Sequence, residues 1–314
     1  MPRVARKNVV TKKGGFFHAL NRINCLPGWF PLQNPVISQK FISRLRQSIL
    51  RSAIHCAGFT LMGNHFHLIL FVEEFRKLSR RKLERYARAR WGERWKLQTG
   101  SWSDERWERF NRDLFDLSVF MRDLQGPFTT WLNLLTGHMG SLWRDRFKCL
   151  ALGTGGDLIP VQETLLYVEL NPVRAKLTSL PEEWKGGSAY LRKMGLEDFL
   201  IPIEQIFPHL AKKQVYGYYR ALQLHRGINP TKENQASIPL EILRAELKRG
   251  FTAGLYARRC RGFIDGLMLG SEADMRRELD RMVLEGVFSR RKNPRPLIGD
   301  ALFTIREQRS HARS

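Results

Sequence analysis

The chain is poor in acid, in cysteine and in long apolar runs, and each shortage narrows what it can be. Its 314 residues hold 30 Asp+Glu against 53 Lys+Arg, a formal net charge of +23. An excess of that size creates a long-range field that attracts polyanions and speeds their encounter. Nucleic acid, an acidic membrane surface and a ribosomal partner all satisfy it, and charge alone does not separate them. No uninterrupted apolar stretch is long enough to span a bilayer, so no membrane partner is expected. The four cysteines, Cys25, Cys56, Cys149 and Cys260, include no C-x-x-C pair, which argues against a zinc ribbon. Residues 1–13 are basic and lead into no apolar h-region, so no secretory signal is read there. The expectation is a reducing, cytoplasmic compartment with free thiols.

What the chain does have is His65-Phe66-His67, together with a distant Tyr167 and Asn171. Residues 54–62 and 65–72 are two apolar runs joined by Gly63-Asn64, a strong two-residue hairpin signal. Side chains on a strand alternate with period two, so both imidazoles fall on one face at the start of the second strand. By itself an H-x-H in an apolar strand is more often structural than metal-binding. Tyr167 and Asn171 are four apart and share a face if residues 160–177 are helical, as Val161, Leu165 and Val168 suggest. Asn171 precedes Pro172, which predicts a bend or break there. Taken alone, Tyr167 reads as a half-buried core tyrosine. If that helix packs against the His strand, Tyr167 becomes a hydroxyl nucleophile beside three metal-capable groups.

Four segments carry a family resemblance. Met62-Gly63-Asn64-His65-Phe66-His67-Leu68 resembles the MPNHxHxL segment of HUH single-strand endonucleases of the transposase type. Leu165-Leu166-Tyr167-Val168-Glu169-Leu170-Asn171-Pro172-Val173-Arg174-Ala175 is similar to their YIxxNPVRA tyrosine segment. Ser141-Leu142-Trp143-Arg144-Asp145-Arg146-Phe147-Lys148 is similar to GTLWxxRYKS, and Phe17-His18-Ala19-Leu20-Asn21-Arg22 to the opening YHVxxRG strand. The resemblance covers about residues 14–190, in order, and the subgroup it points to is the REP-associated tyrosine transposases. Gly63 stands where that family usually has Pro, and Ile23 where a Gly is common.

The resemblance implies a bacterial, cytoplasmic enzyme, associated with the nucleoid through DNA, that cleaves and rejoins single-stranded hairpin or repeat DNA. Tyr167 would be the nucleophile, forming a 5′-phosphotyrosine and freeing a 3′-hydroxyl. His65, His67 and Asn171 would hold a divalent metal, Mg²⁺ or Mn²⁺, acting as a Lewis acid on the scissile phosphate. Asn21, Arg22, Arg146, Lys148 and Arg174 are the candidates for DNA contact, set against ordinary surface charge. Glu163, one turn before Tyr167, is either a partner supporting the site or a solvated glutamate. The protein would act as a monomer or homodimer. Two other classes stay open: a DNA-hairpin-binding protein that no longer cuts, and a hydrolytic metalloenzyme using the His pair to activate water.

The predicted order is β-α-β-β-α-β-α, an α+β fold with a ferredoxin-like antiparallel sheet covered by helices. The expected catalytic domain spans residues 1–190, with an Arg-rich insertion at about 74–125. Residues 104–135 read as mostly helical, broken at Gly126-Pro127. Aromatic rings are interleaved with basic residues in two places: Arg90-Trp91-Gly92-Glu93-Arg94-Trp95-Lys96 is read either as a base-stacking surface or as rings turned into the core, and Trp143-Arg144-Asp145-Arg146-Phe147-Lys148, which leads into a predicted strand, is read as a DNA contact. Residues 191–314 read as a mainly helical extension: a small DNA-binding domain, a structural cap or a dimer contact. Within it, residues 227–235 are a predicted linker, 290–296 a basic proline-interrupted run, and the end a disordered tail.

Overall fold

The structure is a computed structural model. It describes residues 14–24, 27–153, 156–208, 210, 212–228, 236–247, 266–286, 293–298 and 302–306. Cys25, Cys260, most of the predicted linker and the terminal tail lie outside the described residues.

The chain opens with β1 (Gly15–Arg22), then α1 (Pro35–Leu50), and returns through the hairpin β2 (Ile54–Leu61) and β3 (His65–Val72). Asn34 caps α1: its side-chain oxygen accepts from the N–H groups of Val36 (2.9 Å) and Ile37 (3.3 Å), and Pro35 sits at the first helical position. The α1 stripe Ile37, Phe41, Leu45 and Ile49 is buried. A helical excursion follows: α2 (Arg80–Trp91), α3 (Trp95–Thr99) and α4 (Asp104–Leu114). It has its own small core of Leu83, Ala87, Trp107, Phe110 and Leu114. Then come α5 (Leu117–Thr136), β4 (Lys148–Leu152), α6 (Ile159–Glu169) and α7 (Asn171–Arg174).

The predicted break at Gly126-Pro127 is absent. The helix break falls instead at Phe115-Asp116, where Asp116 caps α5, and α5 runs through Pro127. An interior proline costs about 3 kcal/mol. Against that, Phe120, Leu124, Phe128 and Leu132 recur every four residues and are all buried, at roughly 1.5–3 kcal/mol each. Phe128 also meets Phe41 edge to face at 5.1 Å.

β1 to β4 pair antiparallel in the order β2-β3-β1-β4. The C-terminal part differs from its mainly helical reading. After α8 (Ser188–Lys193), α9 (Ile203–Ile206), α10 (Lys212–Ile228) and α11 (Leu240–Leu247), the chain supplies β5 (Gly266–Gly270), α12 (Glu272–Leu284), β6 (Arg295–Ile298) and β7 (Leu302–Arg306). β5 joins β4 in parallel and β7 and β6 continue outward, giving an α+β fold with a mixed seven-stranded sheet. Gly266-Leu267-Met268-Leu269-Gly270 is a short continuous apolar run, and periodicity does not distinguish a buried strand from a buried helix turn.

Two faces emerge. Phe17, Ala19, Phe66, Leu68 and Leu70 point to the layer formed by α1 and α5. Ile69, Leu150 and Leu152 point the other way, onto Val161, Leu165 and Tyr167 of α6. A bulge between Cys56 and Gly58 shifts β2 by one residue, so that Gly58 stands opposite Ile69 under α6. A Cβ at Gly58 would lie 2.2 Å from Leu165 Cδ1 and 3.1 Å from Ser188 Oγ. The missing side chain is what lets the helix sit this close. The edge of β2 is covered: Leu61 donates to Gly186 O, Ile201 to Cys56 O, and Phe59 N–H to Ser188 Oγ.

Replacing Gly58 by Ala is therefore expected to cost about 1–3 kcal/mol in denaturant unfolding, with part recovered in the Gly58→Ala, Leu165→Ala double variant. Additive losses in that cycle would contradict direct contact.

Candidate active site

Register sets the site. In the β1–β3 ladder Arg22 faces His65, Leu20 faces His67 and His18 faces Ile69. Paired residues share a face, so His18, Arg22, His65 and His67 all lie on the side covered by α6. The His65 and His67 rings stand 5.2 Å apart, nearly perpendicular. The Tyr167 ring meets His67 edge-on at 6.2 Å and His18 at 6.5 Å. Tyr167 and the His pair, 100 residues apart in the chain, are thus brought together.

His18 is a member that the sequence reading missed. It is fully buried, stacks on His67 and lies 2.9 Å from it, Nε2 to Nδ1. The signal was present: His18 is on β1 with the period-two parity of Arg22. Only the register says that this parity matches that of His67. His65 Nδ1 is 3.1 Å from Asn64 Oδ1. Both histidines therefore have Nδ1 engaged, and both Nε2 atoms are left as potential donors to a bound group.

Burial holds both imidazoles neutral. It lowers His65 to about 4, with Arg22 adding to the effect. His67 is lowered well below the ordinary 6.5, first by burial and then by His18, His65 and Arg22. A neutral imidazole is the form that ligates a metal.

α6 ends at Glu169 and α7 starts at Asn171, so the predicted bend is present. The buried Asn171 Nδ2 has no hydrogen-bond partner. Asn171 lies one turn past Tyr167, and no hydrogen bond joins it to either histidine. Arg174 places its guanidinium 5.6 Å from the centre of the Tyr167 ring. Among the described residues no group of three or more His, Cys, Asp and Glu is arranged to hold a metal. The expected donor set, two histidines and an amide, is of a different kind. Two neutral imidazoles with Nδ1 engaged are suited to a divalent cation, and Asn171 could add only its Oδ1, since the unpartnered Nδ2 is an N–H donor.

The remaining candidates divide. Arg22 and Arg146 are exposed and Lys148 is half-buried. Asn21 is buried; its Nδ2 donates to Asp145 O at 3.1 Å and its Oδ1 accepts from Arg22 N–H at 2.8 Å. It pins the Asp145 turn to β1. Trp143 turns inward onto Phe66 and donates Nε1–H to Thr129, and Phe147 is buried. In the excursion, Trp91 and Trp95 pack against its core, with Arg90 and Arg88 over their rings. Glu163 is not solvated: it pairs with Arg226 of α10. Burial raises its pKa while Arg226 opposes the rise. Behind Tyr167, the fully buried Glu169 accepts from Ser188 Oγ (2.6 Å), Gln223 Nε2 (2.6 Å) and Tyr219 OH, tying α6 to α8 and α10. Burial raises its pKa too, against the pull of Arg192.

No protein-family model and no curated protein matches the chain. Among solved structures, that of a REP-associated tyrosine transposase bound to a REP hairpin is similar at 13% identity, with a TM-score of 0.38, over 60% of this chain and 84% of that one. That is a distant structural relationship only.

The depressed imidazoles have a consequence for stability. A histidine whose folded pKa lies near 4 takes up a proton more readily when unfolded. Its contribution is complete above about 6.5 and is lost as pH falls toward 4. Denaturant unfolding at pH 7 and pH 5 is expected to show a smaller drop in the His65→Gln variant than in the native chain. Equal drops would contradict the burial of His65.

Proposed function

We propose that the protein is a tyrosine transposase or nickase that cleaves and rejoins single-stranded DNA, hairpin or repeat elements, through a covalent 5′-phosphotyrosine on Tyr167. The observation that carries this reading is the Tyr167 ring against His67, on the strand face that also holds His65. The four ordered sequence segments support it, and so does the net charge of +23. The strand order β2-β3-β1-β4, with α1 and α5 between strands, supports a ferredoxin-like catalytic domain over residues 1–190, with residues 191–314 as an extension.

In this reading His65 and His67, through their Nε2 atoms, and Asn171 would hold Mg²⁺ or Mn²⁺. When bound, such a cation neutralises charge on the phosphate oxygens. Tyr167 gives up its phenolic proton, its oxygen bonds to phosphorus, and the bond from phosphorus to the 3′-oxygen breaks. That oxygen leaves as a protonated 3′-hydroxyl. The reverse attack by a 3′-hydroxyl restores the diester and the phenol, so the strand is rejoined without an external energy source. Arg174, over the Tyr167 ring, helps hold the ring in place. His18, 2.9 Å from His67, orients the His67 ring. Asn21 fixes the turn that presents Arg146, and Arg22, Arg146 and Lys148 face the phosphates.

Denaturing gels of the protein with labelled single-stranded hairpin DNA and Mn²⁺ are expected to show a species carrying both protein and DNA. It should vanish in Tyr167→Phe and in His65→Ala. Cleavage that persists in Tyr167→Phe, with ordinary hydrolysis products, would move the assignment to a hydrolytic metalloenzyme. Retained DNA binding without any adduct would move it to a non-cleaving hairpin binder.

For His18, calorimetric titration with Mn²⁺ alone is expected to show about 10–100-fold weaker binding in a folded His18→Phe variant. Near-native affinity is expected in His18→Gln, whose amide still reaches His67. Unchanged affinity in His18→Phe would remove the positioning role.

A further inference from the structure

Phe30 is 49% exposed and lies at the same end of the sheet as the site. The loop carrying it is tied to the β2–β3 turn by Leu32 N–H to Gly63 O at 3.0 Å. Its neighbour Trp29 packs on His138 at 6.2 Å, which anchors the loop from the other side. The Phe30 ring rests directly on Gly63. A Cβ there would lie 2.6 Å from Phe30 Cδ1 and 3.1 Å from its Cγ. Gly63 has no positive φ, so glycine is needed at this position for space and not for backbone conformation. This accounts for the glycine two residues before His65, where any side chain would displace the ring.

The surroundings are basic. Arg22, Arg144 and Arg146 are all exposed. Arg144 N–H donates to Arg22 O at 2.9 Å, and Ile23 N–H donates to Asn64 O at 2.7 Å. One corner therefore gathers the Gly63-Asn64 turn, the end of β1 and the Arg144–Arg146 segment. Among the described residues none of these three arginines has an ion-pair partner. Phe30 differs from the tryptophans of the helical excursion, whose rings are covered by arginines, as Trp107 is by Arg80 at 4.2 Å and Trp102 by Arg106 at 5.0 Å. Among the described residues Phe30 makes no ring–ring or cation contact. An open aromatic face beside unpaired arginines has the make-up of a single-strand binding surface: the ring takes a base and the guanidinium groups take phosphates.

We propose that Phe30, seated on Gly63, is the stacking platform for an unpaired DNA base next to the phosphodiester that reaches Tyr167, with Arg22, Arg144 and Arg146 holding the adjoining phosphates. This inference rests on the reading of the site as one that acts on single-stranded DNA. Stacking is largely indifferent to base identity, so the platform positions the strand and leaves sequence choice to other contacts.

The experiment compares the full-length protein's affinity, by fluorescence anisotropy, for an oligothymidylate and for an abasic deoxyribose-phosphate chain of equal length and charge. The native chain is expected to favour the base-bearing strand by about tenfold or more. Phe30→Ala should erase that preference while leaving affinity for the abasic chain unchanged, and Phe30→Trp should keep it. Gly63→Ala, whose methyl group would push the ring aside, should reduce the preference and serves as the second variant if Phe30→Ala fails to fold. A folded Phe30→Ala protein that keeps the full base preference overturns the platform. If that protein also still forms the Tyr167 adduct, the reading of the site survives. A native chain that binds neither strand overturns both.

Discussion

The close seating of α6 on one face of the sheet is the constraint on which the site depends. It needs a bulge in β2 that turns Gly58 toward the helix. It also uses a buried carboxylate, Glu169, whose three donors come from α8 and α10. A buried carboxylate is costly unless it is hydrogen-bonded, so this network holds the helix in one position only while all its members are in place. Tyr167 precedes Glu169 by two residues and faces the sheet instead. The same contact that buries Glu169 on one side of α6 fixes the Tyr167 ring against His67 on the other.

That packing also sets the electrostatics. The strongly basic chain keeps three histidine rings on a covered strand face, two of them, His18 and His67, buried. Removal from water and the nearby Arg22 work in the same direction, disfavouring a proton on His65 and His67. In the excursion Arg80, Arg88, Arg90 and Arg106 lie over its own tryptophan rings. The corner beside His65 keeps Arg22, Arg144 and Arg146 exposed. The whole molecule thus attracts polyanions, while an exposed aromatic ring and exposed arginines occur together at this corner.

The elements near the site were legible because their signals are local. The Gly63-Asn64 turn, the alternation through β3 and the Asn171-Pro172 bend each act over a few residues, and each appears where the pattern put it. The reading failed where a local signal met tertiary packing. Pro127 breaks no helix because the apolar stripe around it is buried. Residues 266–270 form a strand because the free edge of β4 accepts them. Trp143 and Phe147, interleaved with basic residues, point inward because the sheet offers them Phe66 and a core.

The sequence by itself determined that His65 and His67 share a face, that Tyr167 sits on a helix with a bend at its end, and that the chain carries a field that attracts polyanions. Those properties follow from residue periodicity, proline stereochemistry and net charge, none of which requires knowing where the rest of the chain goes. Only the tertiary structure decided that His18 stands behind His67, that Glu163 is paired with Arg226, and that Phe30 lies over Gly63. Each of these joins segments far apart in the chain, and strand register, helix seating and loop closure select the partners.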